Sequence, residues 1–167
     1  MGKYFRLSYH FNKLALGDYG LVKAEDDTYA ICPVDDSRWV PCSLYDFGWG
    51  CENGFYRVPL LNCEELFQLV LESEDNDDLY GAAAILMEKY PDKLLEYCEE
   101  VFTAPVHEGK AKRVADIFQL QLCINRSSNF GKKYEEITND SDRWYSLGKK
   151  ARKLGHNSAR RPCQRQR

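Results

Sequence analysis

The sequence lacks a long apolar run. No stretch of its 167 residues approaches the roughly 18–20 consecutive apolar positions that a transmembrane helix requires. The first thirteen residues, MGKYFRLSYHFNK, mix charged and apolar side chains and lack the apolar core of a signal peptide. We therefore expect a soluble, cytoplasmic protein that makes no membrane contact.

Closely spaced cysteines are also missing. The seven cysteines include no Cys-x-x-Cys pair, and the four between Cys32 and Cys63 lie ten, nine and twelve residues apart. Structural zinc sites normally use at least one pair of ligands two to four residues apart. Secreted disulfide scaffolds are shorter and richer in cysteine. We therefore predict reduced cysteines and no bound metal ion.

Sequence motifs for nucleotide and calcium binding are absent. Glu108–Lys110 precedes a predicted helix, but the upstream glycine of a phosphate-binding loop is missing. The glycine-rich dinucleotide fingerprint does not occur either. An EF-hand loop that starts at Asp75 would need glycine at its sixth position and glutamate at its twelfth, where the chain has Tyr80 and Leu86. We predict that the protein uses no cofactor.

Acidic residues are absent from the end of the chain, and this absence divides the charge. Residues 1–142 contain all 26 Asp and Glu and 14 Lys and Arg, for a net charge of -12. Residues 143–167 contain nine Lys and Arg and no acid, for a net charge of +9. The chain therefore combines an acidic body with a basic tail.

The first sixty residues have the composition of short β-strands, rich in aromatic and branched side chains. Tyr45–Gly54 contains three glycines and three aromatic residues, which predicts a loop. The predicted strands are Lys3–Tyr9, Leu21–Lys23, Thr28–Val34, Arg38–Val40 and Phe55–Val58.

From residue 62 the apolar residues recur with the period of a helix. Asn62 and Glu65 form a capping-box pattern that predicts a helix over Cys63–Glu72. An Asp140 or Ser141 cap starts the last helix, which Gly155 ends. The helices predicted between these two are Leu79–Tyr90, Asp92–Phe102, Lys110–Asn125 and a short one over Lys132–Ile137.

These patterns predict an α+β fold with a small antiparallel N-terminal sheet followed by stacked antiparallel helices, as in small α-helical repeat proteins. We expect a β-rich subdomain over residues 1–61 and a helical subdomain over residues 62–155 that share one core. Residues 156–167 have no apolar periodicity and are predicted to form a disordered basic tail.

The acidic run Glu72–Asp78 has two interpretations. Its aspartates can cap a helix and oppose the positive end of the helix dipole, which is the ordinary role of such a run. Alternatively, the run forms a partner-binding surface. The candidate residues are then the charged Asp75, Asp77 and Asp78, with Tyr80, Tyr45 and Trp49 as aromatic anchors.

The resulting hypothesis is a non-catalytic, acidic protein-binding module. Small acidic cytoplasmic chains that are rich in aromatics and lack catalytic motifs are consistent with inhibitors or immunity proteins that neutralise basic toxins such as nucleases, which is an analogy of class. Acidic side chains beside tyrosine and tryptophan suit a cationic partner protein, because they accelerate encounter and anchor the complex.

Two alternatives stay open. The first is an enzyme that uses the thiol of Cys51 with His107 as its base, although Asp46 and Glu52 flank Cys51 and disfavour a thiolate. The second is an adaptor that contacts nucleic acid, weakly if at all, through basic residues near the C-terminus. These residues are Lys149, Lys150, Arg152, Lys153, Arg160 and Arg161.

The cysteine pattern yields a first testable prediction. In denaturant and without prior reduction, all seven thiols should react with a maleimide, because none is expected in a disulfide. Intact-mass spectrometry counts the adducts, and a sample reduced beforehand is the control. A mass increase that appears only after reduction would contradict the prediction.

Overall fold

The computed structural model describes residues 2–8, 15–25, 28–44, 52–103 and 108–158. Over these residues the chain forms an antiparallel sheet followed by α-helices, so the predicted α+β fold is confirmed. The chain divides into two compact units, Met1–Tyr90 and Pro91–Arg167.

The described part of the first unit contains a five-stranded sheet with the order β1-β5-β4-β3-β2, and every neighbouring pair is antiparallel. Phe5 lies opposite Tyr56, and Trp39 lies opposite Arg57. The strands are β1 (Phe5–Leu7), β2 (Val22–Lys23), β3 (Ala30–Ile31), β4 (Arg38–Leu44) and β5 (Glu52–Arg57).

The predicted loop over Tyr45–Gly54 is wrong at its C-terminal end, because β5 already begins at Glu52. Gly54 lies in this strand opposite Leu7. A Cβ atom at Gly54 would come within 2.8 Å of the Leu7 side chain, so this glycine permits close approach of β1 rather than a turn. Residues 45–51 lie outside the described part of the chain.

Beside a 3-10 helix over Leu16–Tyr19, two α-helices share the first unit with the sheet. They are α1 (Cys63–Glu72), whose capping box is formed as predicted, and α2 (Asn76–Lys89), which begins three residues before the predicted start. Small residues from Gly81 to Ala84 let α2 approach β1, and a Cβ atom at Gly81 would lie 2.2 Å from the Phe5 ring. The change of period at residue 62 is therefore a change of secondary structure within this unit; the subdomain boundary expected there stays a prediction.

The core of the sheet forms around Trp39, which is 1% exposed. Its indole N–H donates to the Ser37 hydroxyl at 2.7 Å, so the one polar atom of the ring is satisfied. The Arg6 guanidinium lies over the indole ring, 4.2 Å from its centroid. Tyr19 packs edge-on against Phe55 with 5.0 Å between the ring centroids.

The second unit is helical in its described part. Its α-helices are α3 (Pro91–Thr103), α4 (Glu108–Ile117) and α5 (Tyr134–Ser158), and a 3-10 helix covers Leu120–Leu122. They enclose a buried set of apolar side chains that includes Leu94, Cys98, Val114, Phe118, Trp144 and Leu147. Among all described helices, none has the length and apolar character to cross a membrane.

Two helix predictions in this unit are wrong. The helix expected over Lys110–Asn125 stops at Ile117, because Gln119 adopts a left-handed conformation with φ +48°. The short helix and the last helix are one continuous helix that runs past Gly155 to Ser158. Asp140 does not cap a helix, because it lies inside α5, and its carboxylate accepts a hydrogen bond from the Lys132 ammonium at 2.7 Å.

The close contact between α2 and β1 yields a second prediction. Gly81→Ala should lower the free energy of unfolding by about 1–3 kcal/mol, because the new methyl group overlaps the Phe5 ring. Gly109→Ala is the control, because Gly109 lies in the first turn of α4 with open space around an added Cβ, so the change should not lower the free energy of unfolding. Urea unfolding of the full chain measures both changes. Equal stability of the Gly81 variant and the original chain would refute the close approach.

Candidate functional site

Asp78 in the first turn of α2 is only 5% exposed. Its carboxylate accepts hydrogen bonds from three consecutive backbone N–H groups: Lys3 at 2.9 Å, Tyr4 at 2.7 Å and Phe5 at 2.9 Å. Hydrogen bonds to a charged acceptor are stronger than neutral ones. Asp78 therefore fastens the start of β1 to α2. The expectation that it belongs to an exposed acidic surface is wrong, because the backbone of the N-terminal segment covers it.

The neighbouring aspartates also serve the fold. Asp75 is the N-cap of α2 and accepts from the backbone N–H groups of Asp77 and Asp78 at 2.9 and 3.3 Å, as the capping interpretation predicts. The Asp77 carboxylate accepts from the N–H of Gly2 at 3.3 Å. Tyr80 is 36% exposed. A partner-binding role for Asp75, Asp77 and Tyr80 stays a prediction.

A surface groove of about 290 Å³ runs beside α1. Four of its residues come from one face of the helix, because their spacing of three, four and seven residues places them on adjacent turns. The lining residues are Tyr4, Leu61, Glu65, Gln68, Leu69 and Glu72. We call this the α1 groove. Sequence reasoning missed it, although the spacing of the polar residues on α1 is visible in the sequence.

The α1 groove carries two carboxylates that have no counter-ion among the described residues. Glu65 accepts from the Asn62 backbone N–H at 2.8 Å, and Glu72 accepts from the Gln68 side-chain amide at 3.1 Å. Each of these bonds uses Oε2, and neither carboxylate pairs with a lysine or arginine in the described part of the chain. The Cα atoms of the two glutamates are about 10.5 Å apart along the axis at a rise of 1.5 Å per residue.

The opposite wall of the α1 groove is held in place by the Asp78 contact. The Tyr4 N–H donates to Asp78, and the Tyr4 carbonyl accepts from the Arg57 N–H at 2.9 Å. The Lys3 ammonium lies 5.1 Å from the centroid of the Tyr4 ring, so the ring already contacts one cation. The groove thus has an aromatic wall, aliphatic side chains and two carboxylates.

The surroundings of the α1 groove are acidic. Residues 58–88 contain eight Asp and Glu and no Lys or Arg. Five of the eight are exposed: Glu64, Glu65, Glu72, Glu74 and Glu88. The first unit has seven basic and sixteen acidic residues, a net charge of -9, whereas the second has sixteen basic and ten acidic residues, a net charge of +6.

The residues of the thiol-enzyme hypothesis, Cys51 and His107, lie outside the described part of the chain, as do Tyr45, Trp49, Arg160 and Arg161. The described cysteines are free thiols. Burial raises the pKa of both Cys42 and Cys98 to about 12, so these thiols stay protonated near neutral pH. Among the residues that are described, no cluster of His, Cys, Asp and Glu could hold a metal ion. The hypothesis for Cys51 stays a prediction.

The described basic residues near the C-terminus lie on α5. The side chains of Lys149, Lys150, Arg152 and Lys153 are exposed. The Arg152 Nε donates to the Gln121 carbonyl at 2.8 Å, and the Lys149 ammonium lies 4.3 Å from the centroid of the Tyr145 ring. A second depression, of about 380 Å³, has Arg152 and Lys112 in its wall, but Lys112 is paired with Asp116 at 2.7 Å.

Comparison with known proteins assigns no family. The chain matches no protein-family model, and no curated protein and no solved structure is detectably similar to it. The chemistry of the described surfaces is therefore what bears on function.

The Asp78 contact yields a third prediction. Asp78→Asn should lower the free energy of unfolding by about 2–4 kcal/mol, because the buried carboxylate uses both of its oxygens for three backbone donors and an amide offers only one acceptor oxygen. Asp75→Asn removes the same charge but should change stability by less than about 0.5 kcal/mol, since asparagine caps helices as well as aspartate. Urea unfolding compares the two variants. Equal destabilisation by both would contradict the assigned role of Asp78.

Proposed function

We propose that the chain is a non-catalytic binding module that recognises a basic protein through the acidic surface of its first unit. Its class would be that of inhibitors and immunity proteins that neutralise a basic toxin. The observation that carries the proposal is the segment 58–88, which has eight acidic residues, no basic residue and five exposed glutamates.

Electrostatics supports a basic partner. A surface of one sign attracts partners of the opposite sign and raises their association rate, and it disfavours partners of like charge. Because the first unit has a net charge of -9, it repels the phosphates of nucleic acid. A protein with a cationic surface is therefore the partner that this unit fits best.

The surface that we propose for the basic partner differs from the one predicted from the sequence. The carboxylate of Asp78 is buried, and Asp75 caps α2. The glutamates on and beside α1 remain exposed, and those of the α1 groove have no internal counter-ion in the described residues. We therefore place the binding surface on α1 rather than on the aspartates of α2.

A variant that lacks four of the exposed glutamates on and beside α1 tests the proposed function. Glu64, Glu65, Glu72 and Glu74 are all replaced by glutamine, which preserves helix propensity and the capping box at position 65. The full chain captures partners from the native host, and each captured protein is purified and reconstituted with it. We expect a basic partner that forms a stoichiometric complex. At low salt its association rate should fall by about tenfold in the variant, and the difference should shrink at high salt.

The matched control removes four charges from the second unit. It carries Glu96→Gln, Glu100→Gln, Glu135→Gln and Asp142→Asn, all at exposed positions. Its association rate should stay within about twofold of the original chain, because the proposal assigns recognition of the partner to the charges of the first unit. A purified partner that is acidic, or equal effects of the two variants, would refute the proposal. If the partner is an enzyme, its inhibition should reach completion at one equivalent of the chain.

A second candidate function is nucleic-acid contact through α5. It is favoured by the exposed Lys149, Lys150, Arg152 and Lys153 and by the nearby Tyr145 ring. Deleting residues 159–167 removes four further arginines. The deletion should weaken binding to a random-sequence DNA duplex if this function is real. Binding to a basic protein should stay unchanged or become tighter, so the two functions predict effects of opposite sign.

A further inference from the structure

The residues that line the α1 groove indicate which side chains of a partner would bind there. We infer that it binds an extended segment with two arginines three residues apart, in which one arginine pairs with Glu65 and the other with Glu72. This inference rests on the proposed function, because it names the residues of the basic partner that would enter the acidic surface.

The size of the α1 groove favours an extended segment. Its volume of about 290 Å³ lies just below the roughly 300–1,000 Å³ range of small-molecule sites. A partner helix has a diameter of about 10–12 Å with its side chains and would not enter such a depression. A single extended chain can lie along it, with its side chains against Leu61, Leu69 and Tyr4.

The spacing of the two glutamates along α1 sets the spacing of the arginines. The Cα atoms of Glu65 and Glu72 are about 10.5 Å apart along the helix axis. In a polyproline II segment the rise is about 3.1 Å per residue and three residues complete a turn, so residues i and i+3 point to the same side about 9.3 Å apart. Two arginines at that spacing can each reach one glutamate. Adjacent arginines would point in different directions and could not reach both.

The acceptors in the α1 groove favour arginine over lysine. The side-chain amide of Gln68 donates to Glu72 Oε2. This hydrogen bond orients the side-chain carbonyl oxygen of Gln68 and leaves the second carboxylate oxygen of Glu72 available. A guanidinium can donate to both of these oxygens at once, whereas an ammonium acts as a single compact charge. The planar guanidinium also stacks on aromatic rings, and Tyr4 supplies one, which the arginine would share with the Lys3 ammonium that lies 5.1 Å from the ring centroid.

The experiment uses three synthetic peptides with the full chain. Each peptide is eight residues long and has blocked ends. Two of its residues are positively charged, and the others are glycine and proline. The first carries two arginines three positions apart, the second carries lysines at the same positions, and the third carries two adjacent arginines. Backbone amide shifts in an NMR titration give both the affinity and the location of binding.

The matched variants are Glu65→Gln with Glu72→Gln and, as the control, Glu64→Gln with Glu74→Gln. Each pair removes two exposed charges. The first peptide should bind with one-to-one saturation and shift the amides of α1. Its affinity should fall about three- to tenfold in the first pair and less than about twofold in the control, in line with the strength of exposed ion pairs. The lysine and adjacent-arginine peptides should bind more weakly than the first.

Several outcomes would overturn the inference. They are no saturable binding of the first peptide, equal losses in the two variant pairs, and equal affinities of the three peptides. The proposed function fails separately. If a purified basic partner binds the full chain and the Glu65/Glu72 pair leaves its affinity unchanged, the function stands and the groove inference is wrong. If the first peptide binds as expected and no basic protein does, the function is wrong and the groove is still a site for arginine.

Discussion

The carboxylate of Asp78 makes the contact on which the first unit depends. It accepts from the backbone N–H groups of Lys3, Tyr4 and Phe5 at the start of β1, and the hydrogen bond from Phe5 is buried. A buried donor left unsatisfied costs about 1–3 kcal/mol. One side chain of α2 thereby determines where the N-terminal segment lies, and the close approach of α2 at Gly81 makes this contact possible.

The same contact connects the fold to the candidate site. Tyr4 forms one wall of the α1 groove, and its position is set by Asp78 on one side and by Arg57 on the other. The aspartates that stand out in the sequence are thus mainly structural, whereas the less conspicuous glutamates of α1 face the solvent. A carboxylate that already accepts three hydrogen bonds has little left to offer a partner. One that lies exposed without a counter-ion has most of its interaction still to make.

The two units differ in the sign of their net charge, which is -9 for the first and +6 for the second. The acidic residues that surround the α1 groove occur in a segment without any base, and the basic residues of α5 lie in the other unit. Within the described second unit, several charges are already paired, such as Arg143 with Glu99 and Lys132 with Asp92 and Asp140. Residues 58–88 contain no Lys or Arg, so the charges around α1 have one sign, and this is why we propose the first unit as the site of partner recognition.

The sequence by itself determined the α+β class, the helix α1 with its cap at Asn62, and the acidic character of the first unit. These features depend on local period, local caps and summed charge, all of which are properties of neighbouring residues. Only the tertiary structure decided that Asp78 is buried, that Gly54 lies within a strand, that Asp140 pairs with Lys132 instead of capping a helix, and that Tyr4 completes the α1 groove. Tyr4 and Asp78 are 74 residues apart, and Leu7 is far in sequence from Gly54, whereas Lys132 lies only eight residues from Asp140 but precedes the start of α5. A local pattern cannot reveal such a partner, because the contact exists only once the chain has folded.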